Sequence, residues 1–262
     1  WSAMRLLCWG ARDGWASEAA IRSLQRAMRA IILAASLTAC CCSVLEAACA
    51  AAIAPLGLPA DANERAQGYV SELLRYNERT NVYSKSAYDK LPFHVADSVT
   101  LALEIQQRNP RGVLDLGSGS GLPSIIIACV NPDVPVYAIE SKSRKTRFLA
   151  HAAKQIGLEQ YTPLTQNVFE LSRSWYFDVD VVTAKAFKPL PEVGPIGERC
   201  ILHDARLLVP ISEAQVGEFA LGEEKLERRG DGFIYYSEAI APSRGSETRK
   251  LVTREAAKSS RL

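Results

Sequence analysis

The sequence has almost no net charge, no regular metal-ligand spacing and no apolar run long enough to cross a membrane. Lys and Arg total 31 against 29 Asp and Glu, so the overall charge does not indicate a nucleic-acid partner, and any basic contact surface has to be local. The seven cysteines form no C-x-x-C pair and no Cys/His group with zinc spacing, which argues against a zinc site. The uncharged apolar run at residues 30–45 is shorter than the ~18 to 20 residues that span a bilayer.

Common motifs for a catalytic base are missing as well. The chain has no Cys-Pro pair, no Asn-Pro-Pro-Tyr segment, no acid–histidine constellation and no internal repeat. Its 48% hydrophobic and 23% charged residues are ordinary for a globular protein, and 262 residues allow one large domain or two small ones. The chemistry therefore has to be sought in backbone motifs and not in an obvious base or metal centre.

The first 57 residues differ in composition from the rest of the chain. Several arginines precede the uncharged run, which is rich in Ala, Ile, Leu and Cys, and a second alanine-rich stretch follows Glu46. This pattern predicts a targeting sequence over residues 1–57, with a plastid favoured over a mitochondrion as the destination. Asp13 and Glu18 are atypical of a clean transit peptide and leave the organelle open. The alternative is an extra buried helix, in which case the protein is cytoplasmic.

Residues 58–262 are expected to form the folded domain, with a helical lead-in at 61–108 and a Rossmann-like core at 112–255. In the lead-in, residues 61–64 have the composition of a helix cap. An apolar stripe at helical spacing follows, formed by Ala66, Tyr69, Val70, Leu73 and Leu74. After a polar loop at 77–87, a second helical pattern covers residues 95–103.

In the core, predicted strands alternate with predicted helices. Strands are expected at 113–116, 134–139, 161–164, 178–183 and 206–211, and helices at 123–130, 143–157 and 213–221. A proline-rich segment after residue 188 predicts only a broken helix, and the segment before residue 178 is predicted to be a polar crossing. Closing strands are expected at 226–228, 233–240 and 250–253, including an antiparallel pair. The alternation predicts a parallel sheet with helices on both faces.

The most informative stretch is the turn after the first core strand. Gly117, Gly119 and Gly121 follow that strand at alternate positions and precede a predicted helix. Glycine lets the backbone approach a ligand closely, beside the free N–H groups of a helix start. Glu140, at the end of the next strand, is placed to accept hydrogen bonds from ribose hydroxyls. These features predict a nucleoside cofactor, with a simple strand–helix turn as the alternative. The missing sixth-position glycine and the tight spacing favour S-adenosylmethionine over a dinucleotide.

Over residues 64–190 the chain resembles the RsmG (glucose-inhibited division protein B) methyltransferases. The similar segments are Tyr76–Asn81, Phe93–Ser98, Asp115–Pro123 and Glu140–Leu149. The resemblance implies a Rossmann-like class I S-adenosylmethionine-dependent methyltransferase fold with an N-terminal helical extension. It also implies an enzyme that methylates N7 of a guanine in small-subunit ribosomal RNA. The implied partner is that RNA or a pre-30S-like particle, bound by a monomer without stable membrane association.

The resemblance also assigns site residues. The cofactor-binding residues of the turn are Gly117, Ser118, Gly119, Gly121 and Leu122. Glu140 would bind the ribose, and Val168 and Phe169 fall where the family holds the adenine ring. Lys185 falls at an arginine of the family, a position that implies both cofactor contact and a catalytic role.

The sequence departs from the family pattern at several positions. Asn167-Val-Phe169 replaces Arg-x-Glu, Lys185 replaces an arginine, and Phe93 replaces the arginine before His94. The segment 209–212, Val-Pro-Ile-Ser, stands where Ala-Leu-Lys-Gly is usual. Two alternatives therefore stay open beside the leading function. One is a methyltransferase with another substrate, and the other is a non-catalytic ribosome-assembly factor that keeps the fold.

Other polar residues near these motifs allow a functional or a structural interpretation. A basic run at the start of a predicted helix either contacts phosphate or forms a solvated face; its members are Lys142, Arg144, Lys145 and Arg147. His94, in a helix that faces the core, is expected to be structural and not catalytic. Cys129 and Cys200 are expected to be reduced and buried. Guanine N7 carries a lone pair and needs no deprotonation, so the missing base agrees with the implied reaction.

Overall fold

The computed structural model describes residues 41–230, 232–243 and 249–253, and a seven-stranded sheet forms its centre. The strands of this sheet, numbered in chain order, are β1 (Val113–Leu116), β2 (Val136–Glu140), β3 (Tyr161–Thr165), β5 (Val181–Ala184), β6 (Ala205–Ile211), β7 (Leu226–Arg229) and β8 (Phe233–Ile240). Two shorter strands, β4 (Trp175–Tyr176) and β9 (Lys250–Leu251), pair with each other in a separate sheet. The strands lie within a few residues of the predicted ones, apart from β4, which the sequence pattern does not predict.

The order of strands in the large sheet is β3-β2-β1-β5-β6-β8-β7, which confirms the predicted Rossmann-like class. Neighbouring strands from β3 to β6 run parallel, while β8 is antiparallel to both β6 and β7, as predicted for the closing strands. Every residue of β1 and β5 is buried, as expected for parallel strands covered on both faces. The order reverses at β1, so the crevice for a ligand lies at the carboxyl ends of β1 and β5.

Helices cover both faces of the sheet, as predicted. They are α1 (Cys41–Ile53), α2 (Ala60–Asn77), α3 (Leu91–Gln107), α4 (Ser124–Val130), α5 (Ser143–Gln155), α6 (Val168–Ser174), α7 (Leu190–Cys200) and α8 (Glu213–Glu218). On one face, α1 to α5 pack in an apolar cluster that includes Val113 and Val181 of the sheet. On the other face, α6 to α8 pack with Leu114 and Val182. Successive strand residues thus point to opposite layers, which is the strand periodicity of two.

Helix α1 corrects the expected start of the folded domain. The sequence pattern predicts that residues 1–57 lie outside the fold, but Cys49 and Ile53 of α1 are buried and share the apolar cluster of α3. An alanine-rich apolar sequence is compatible with a targeting segment and with a core helix. Residues 41–53 form the second of these, a helix that packs in the core. Residues 1–40 lie outside the described part of the chain, so the targeting function of that segment stays a prediction.

Helices α6 and α7 also differ from the predictions. Asn167 starts α6, because its side chain accepts a hydrogen bond from the backbone N–H of Phe169 at 3.0 Å, and a capped helix replaces the expected polar crossing. Helix α7 runs without a break through Pro195. A proline removes one helical hydrogen bond, but α7 buries Val193 and Ile196 against the sheet, and this tertiary packing outweighs the local cost.

Two further properties of the described helices bear on function. Cys129 of α4 and Cys200 of α7 are free and buried, and burial raises the pKa of each thiol to about 12. Such thiols are poor nucleophiles, so both residues belong to the core, as predicted. Within the described residues, the helices are too short or too polar to span a membrane.

Candidate active site

The glycine turn connects the end of β1 to the start of α4. The backbone N–H groups of Gly117 and Ser118 donate to the carbonyl oxygen of Ile139 at 2.9 and 3.0 Å, which ties the turn to β2. Gly117, Gly119 and Gly121 have φ angles of 74°, 59° and 97°. Residues with a Cβ rarely adopt this left-handed region, so the turn requires glycine at all three positions.

Each glycine of the turn faces different surroundings. A Cβ on Gly117 would lie 2.3 Å from Cδ2 of Phe187, and a Cβ on Gly121 would lie 2.8 Å from Cδ1 of Ile125. These two glycines therefore allow close packing within the protein. At Gly119 the nearest atoms to such a Cβ are 3.8 Å away, so this part of the turn is open to a ligand. The arrangement fits the backbone cradle expected for a nucleoside cofactor.

Glu140 lies beside the turn, as the motif spacing predicts. Its side chain is buried, and its two carboxylate oxygens accept hydrogen bonds from the backbone N–H groups of Gly119, at 3.1 Å, and Lys142, at 2.8 Å. These bonds orient the carboxylate between the turn and the start of α5. Oε1 also accepts from the hydroxyl of Ser141 at 3.4 Å, whereas Oε2 accepts only from Gly119 and keeps a lone pair that can accept a hydrogen bond from a ribose hydroxyl.

The remaining turn residues and the segment expected to hold adenine border this carboxylate. Ser118 donates from its hydroxyl to the carbonyl oxygen of Asp115 at 3.1 Å, and Leu122 is nearly buried. The backbone N–H of Gln166 donates to the carbonyl oxygen of Glu140 at 3.2 Å, which brings the start of α6 next to the site. The two residues expected at the adenine ring differ in exposure: Val168 is buried in the core, and Phe169 is 38% exposed.

Lys185 follows β5 directly, at the carboxyl edge of the sheet beside the end of β1. Its ammonium nitrogen lies 2.6 Å from Oδ2 of Asp97 in α3, and the side chains are only 17% and 7% exposed. The hydroxyl of Tyr235 donates to the backbone carbonyl of Asp97 at 3.1 Å, which holds α3 against β8. The structure therefore brings Lys185 to the edge of the site but pairs its charge with a protein carboxylate.

Asp115 is a buried acid to which the sequence motifs assign no function. Its side chain is fully buried at the end of β1, and its carboxyl oxygens accept no hydrogen bond within the described residues. Burial raises the pKa of Asp115 to about 6, and nearby Ser118, Ser124 and Lys185 offset this only in part. The signal in the sequence is an acid within an otherwise apolar strand. Above this pKa it places a negative charge behind the glycine turn.

His94 has a structural environment, as predicted. Its Nδ1 lies 2.8 Å from the hydroxyl of Tyr83, and burial, followed by the nearby Lys185 and Lys90, lowers the pKa of the imidazole to about 4. The imidazole is therefore neutral near pH 7. Asn77 stabilises the same loop, because its side-chain oxygen accepts from the backbone N–H of Tyr83 at 3.1 Å.

The predicted basic run forms the first turns of α5, directly after Glu140. Lys142, Arg144 and Arg147 are exposed, and Lys145 is half-buried beside Gly119. The first turn of α5 contains no acid, and none of these four side chains forms an ion pair with another described residue. Cations at a helix N-terminus oppose the helix dipole, so this placement does not stabilise the helix.

Comparisons with known proteins place these features in one family. The ribosomal RNA small subunit methyltransferase G of Paracoccus denitrificans (strain Pd 1222) is 34% identical over 161 residues, which are 58% of this chain and 81% of the relative. The protein of the same name from Halorhodospira halophila is 34% identical over 153 residues, or 58% of this chain and 70% of the relative. A putative O-methyltransferase structure from Klebsiella pneumoniae has a TM-score of 0.48 at 14% identity, covering 72% of this chain and 94% of that one. That structural likeness is too low to bear on function.

A family model described as rRNA small subunit methyltransferase G matches residues 62–227, which is more than half of the chain. The matched region contains the glycine turn, Glu140, the start of α6 and Lys185. The match confirms the resemblance predicted from the motifs, and with it the methyltransferase class and S-adenosylmethionine as the cofactor. The chain belongs to the rRNA small subunit methyltransferase G (GidB) family.

Proposed function

We propose that this protein transfers a methyl group from S-adenosylmethionine to N7 of a guanine in small-subunit ribosomal RNA. The observation that carries the proposal is the hydrogen bond from Gly119 to Glu140, which joins a glycine cradle to a buried ribose acceptor at the switch point of the sheet. Family membership supplies the reaction class, and the relatives are named for small-subunit ribosomal RNA.

The residues at this edge fit the cofactor. Gly119 offers open backbone to the amino-acid part, and Glu140 keeps acceptor capacity for the ribose. Phe169 offers an exposed aromatic ring for adenine at the start of α6. When bound, S-adenosylmethionine supplies an electrophilic methyl group on a positively charged sulfur.

The site needs no general base for this reaction. Guanine N7 already carries the lone pair that attacks, so no proton has to leave first. This agrees with the nearby titratable groups, because a pKa of about 4 makes the imidazole of His94 a weak base and Glu140 is held by backbone N–H groups. The rate then comes from alignment of N7 with the methyl group and from exclusion of water.

Lys185 is proposed to support this alignment. Its position after β5 and its ion pair with Asp97 hold the β5–α7 loop, residues 185–189, against α3. The lysine makes a single-point contact where the family has the planar donor group of arginine. Its expected catalytic effect is therefore on the geometry of the loop and the methyl acceptor.

The basic start of α5 is proposed to contact RNA phosphates. Lys142, Arg144 and Arg147 are exposed beside the cofactor site, and the charge is local although the whole chain is nearly neutral. Phosphate contacts of this kind position the RNA without reading its sequence. The unfavourable placement of these cations at a helix N-terminus is explained if an anion binds there.

The direct test is the chemical mapping of N7-methylguanine in small-subunit ribosomal RNA. Borohydride–aniline cleavage of RNA from cells with and without the gene should show one cleavage site that depends on the gene. A purified protein that binds S-adenosylmethionine and small-subunit particles but leaves no such site would instead support the assembly-factor alternative. Transfer of the methyl group to a protein or small molecule would support the other alternative.

An organellar ribosome as the substrate is part of the same proposal. It depends on targeting by the N-terminal segment, and α1 limits that segment to residues 1–40. Fusing residues 1–40 to a fluorescent reporter should direct the reporter to a plastid. A reporter that stays in the cytosol would remove the organellar part of the proposal and leave the reaction unchanged.

A further inference from the structure

We propose that Phe187 stacks on the target guanine and orients it for methyl transfer, an inference that rests on the proposed function. The residue lies in the β5–α7 loop, two positions after Lys185 in sequence and against the glycine turn in space. None of the sequence motifs assigns it a role.

The aromatic ring of Phe187 packs on the backbone of the turn at Gly117. A Cβ on Gly117 would lie 2.3 Å from Cδ2, 2.9 Å from Cγ and 3.1 Å from Cβ of Phe187, so the ring rests where any side chain at 117 would have to be. Phe187 is nevertheless only partly buried. The ring therefore contacts the turn and keeps some exposed surface, and the loop that carries it follows β5 at the carboxyl edge of the sheet, where ligands bind in this fold.

The backbone of the loop presents this ring at a conformational cost. Ala186 has a φ of 51°, in the left-handed region that residues with a Cβ seldom adopt, and its side chain is exposed. Ala186 thus gains no burial from this conformation. Strain of this kind persists where the surrounding structure holds a neighbouring side chain in place, and functional sites are where it is found most often.

Both ends of the loop are anchored. Lys185 is paired with Asp97 at one end, and at the other Leu190, the first residue of α7, is buried in the core. Within the loop, the ammonium nitrogen of Lys188 lies 5.6 Å from the centre of the Phe169 ring. The loop therefore connects the proposed adenine side with the glycine turn and holds Phe187 between the two.

An aromatic ring at this place fits the charge movement of the reaction. The N7 lone pair forms a bond to the methyl carbon, the bond from that carbon to sulfur breaks, and its electron pair stays on sulfur. No proton moves, and the positive charge passes from the sulfur to the guanine ring. Unpaired bases stack on aromatic side chains, and a cation is attracted to the face of such a ring. Phe187 would therefore bind the charged, methylated base more tightly than the neutral one, which favours the transition state.

Steady-state kinetics with small-subunit particles separate this role from cofactor binding. Phe187→Leu keeps an apolar side chain of similar size but removes the aromatic face, and we expect kcat/KM for the particles to fall about tenfold or more. The Kd for S-adenosylmethionine from titration calorimetry should stay within about twofold of the parent value.

Phe187→Tyr should keep most of the activity, and Phe219→Leu, a matched change after α8, should behave as the parent. An unchanged kcat/KM in Phe187→Leu, or a loss accounted for by weaker cofactor binding, would overturn the proposal.

A binding measurement tests whether Phe187 stacks on guanine even if the protein transfers no methyl group. Phe187→Trp places an indole at the proposed stacking position, and Phe219→Trp is its control. With S-adenosylhomocysteine present, 7-methylguanosine monophosphate should quench the added fluorescence of Phe187→Trp more than guanosine monophosphate does, and neither should quench that of Phe219→Trp. Equal quenching in the two variants would refute stacking at Phe187. Selective quenching together with an inactive parent would refute the proposed transfer reaction and leave the base-binding role in place.

Discussion

The ammonium nitrogen of Lys185 and Oδ2 of Asp97 lie 2.6 Å apart, although 88 residues separate them in the chain. The pair is largely buried and joins the carboxyl edge of β5 to α3. Removing one partner of a buried ion pair leaves an uncompensated charge, which is more damaging than removing both. This relationship gives Lys185 a structural role beside the catalytic one predicted from the motifs.

The two roles of Lys185 can be measured separately. We expect Lys185→Ala to lower the free energy of unfolding by ~3 to 5 kcal/mol, because Asp97 stays buried without its partner. It should also reduce tritiated methyl transfer to small-subunit particles at saturating cofactor, with little change in cofactor affinity. Lys185→Arg should keep the ion pair and match or exceed the parent activity.

The double variant Lys185→Ala with Asp97→Asn is the control for this experiment. It should recover part of the lost stability, since the unpaired carboxylate is gone, but it should not recover methyl transfer. If the double variant is no more stable than Lys185→Ala alone, the ion pair does not account for the stability change. If Lys185→Ala transfers methyl at the parent rate, Lys185 has no catalytic role.

Glu140→Ala should weaken S-adenosylmethionine binding by ~1 to 3 kcal/mol, the usual loss for hydrogen bonds to a charged acceptor. Two effects add here, because the carboxylate would accept from the ribose and also holds the N–H of Gly119 in the turn. Titration calorimetry measures the change directly. Glu159→Ala, which removes an exposed carboxylate after α5, is the matched control and should leave the affinity unaltered. Equal affinities in the parent and Glu140→Ala would refute the ribose assignment.

The stability of the protein should depend on pH through Asp115. Burial raises the pKa of this group from 3.8 to about 6, so the folded state holds the proton more tightly than the unfolded chain does. The contribution of Asp115 to the free energy of unfolding is therefore fully present below about pH 4. It is lost as the pH rises through about 6, and the total loss is ~3 kcal/mol.

Denaturant unfolding of Asp115→Asn between pH 4 and pH 7 tests this assignment. Across that range the unfolding free energy of the variant should rise relative to that of the parent, because the amide does not ionise. Asp133→Asn, at an exposed position, should show no such trend. A difference between Asp115→Asn and the parent that stays constant with pH would mean that the pKa of Asp115 is not raised.

The basic start of α5 should determine how strongly RNA binding depends on salt. For single-stranded RNA, each lost phosphate contact lowers the slope of log affinity against log salt concentration by about 0.7. The double variant Arg144→Ala and Arg147→Ala should therefore reduce the slope by about 1.4 if both residues contact phosphate. Lys154→Ala, in the last turn of the same helix, is the control. An unchanged slope in the double variant would make this surface a solvated face.

Removal of α1 should destabilise the domain. A chain that starts at residue 41 keeps Cys49 and Ile53 in the core, whereas one that starts at residue 60 loses both. Burial of an apolar side chain contributes ~1.5 to 3 kcal/mol, so the shorter chain should melt at a clearly lower temperature. Ile53→Ala in the full chain should show a similar effect, of ~2 to 5 kcal/mol. Identical melting curves for the two truncated chains would restore residue 58 as the start of the fold.

The sequence by itself determined most of the sheet and the centre of the site. The strands β1, β2, β6 and β8, the three glycines and Glu140 follow from apolar runs, turn residues and motif spacing. These signals are local, because strand burial and left-handed turns restrict which residues can stand at a position whatever the rest of the chain does. The family resemblance rests on the same short segments.

Only the tertiary structure decided which distant residues meet. The alanine-rich pattern of α1 fits a targeting segment as well as a core helix, and packing against α3 selects the core. Pro195 weakens a helix locally, and burial of α7 overrides it. The pairing of Lys185 with Asp97 and the contact of Phe187 with Gly117 bring together residues 88 and 70 positions apart. No periodicity within a segment encodes such contacts, because they depend on where the sheet places the ends of separate elements.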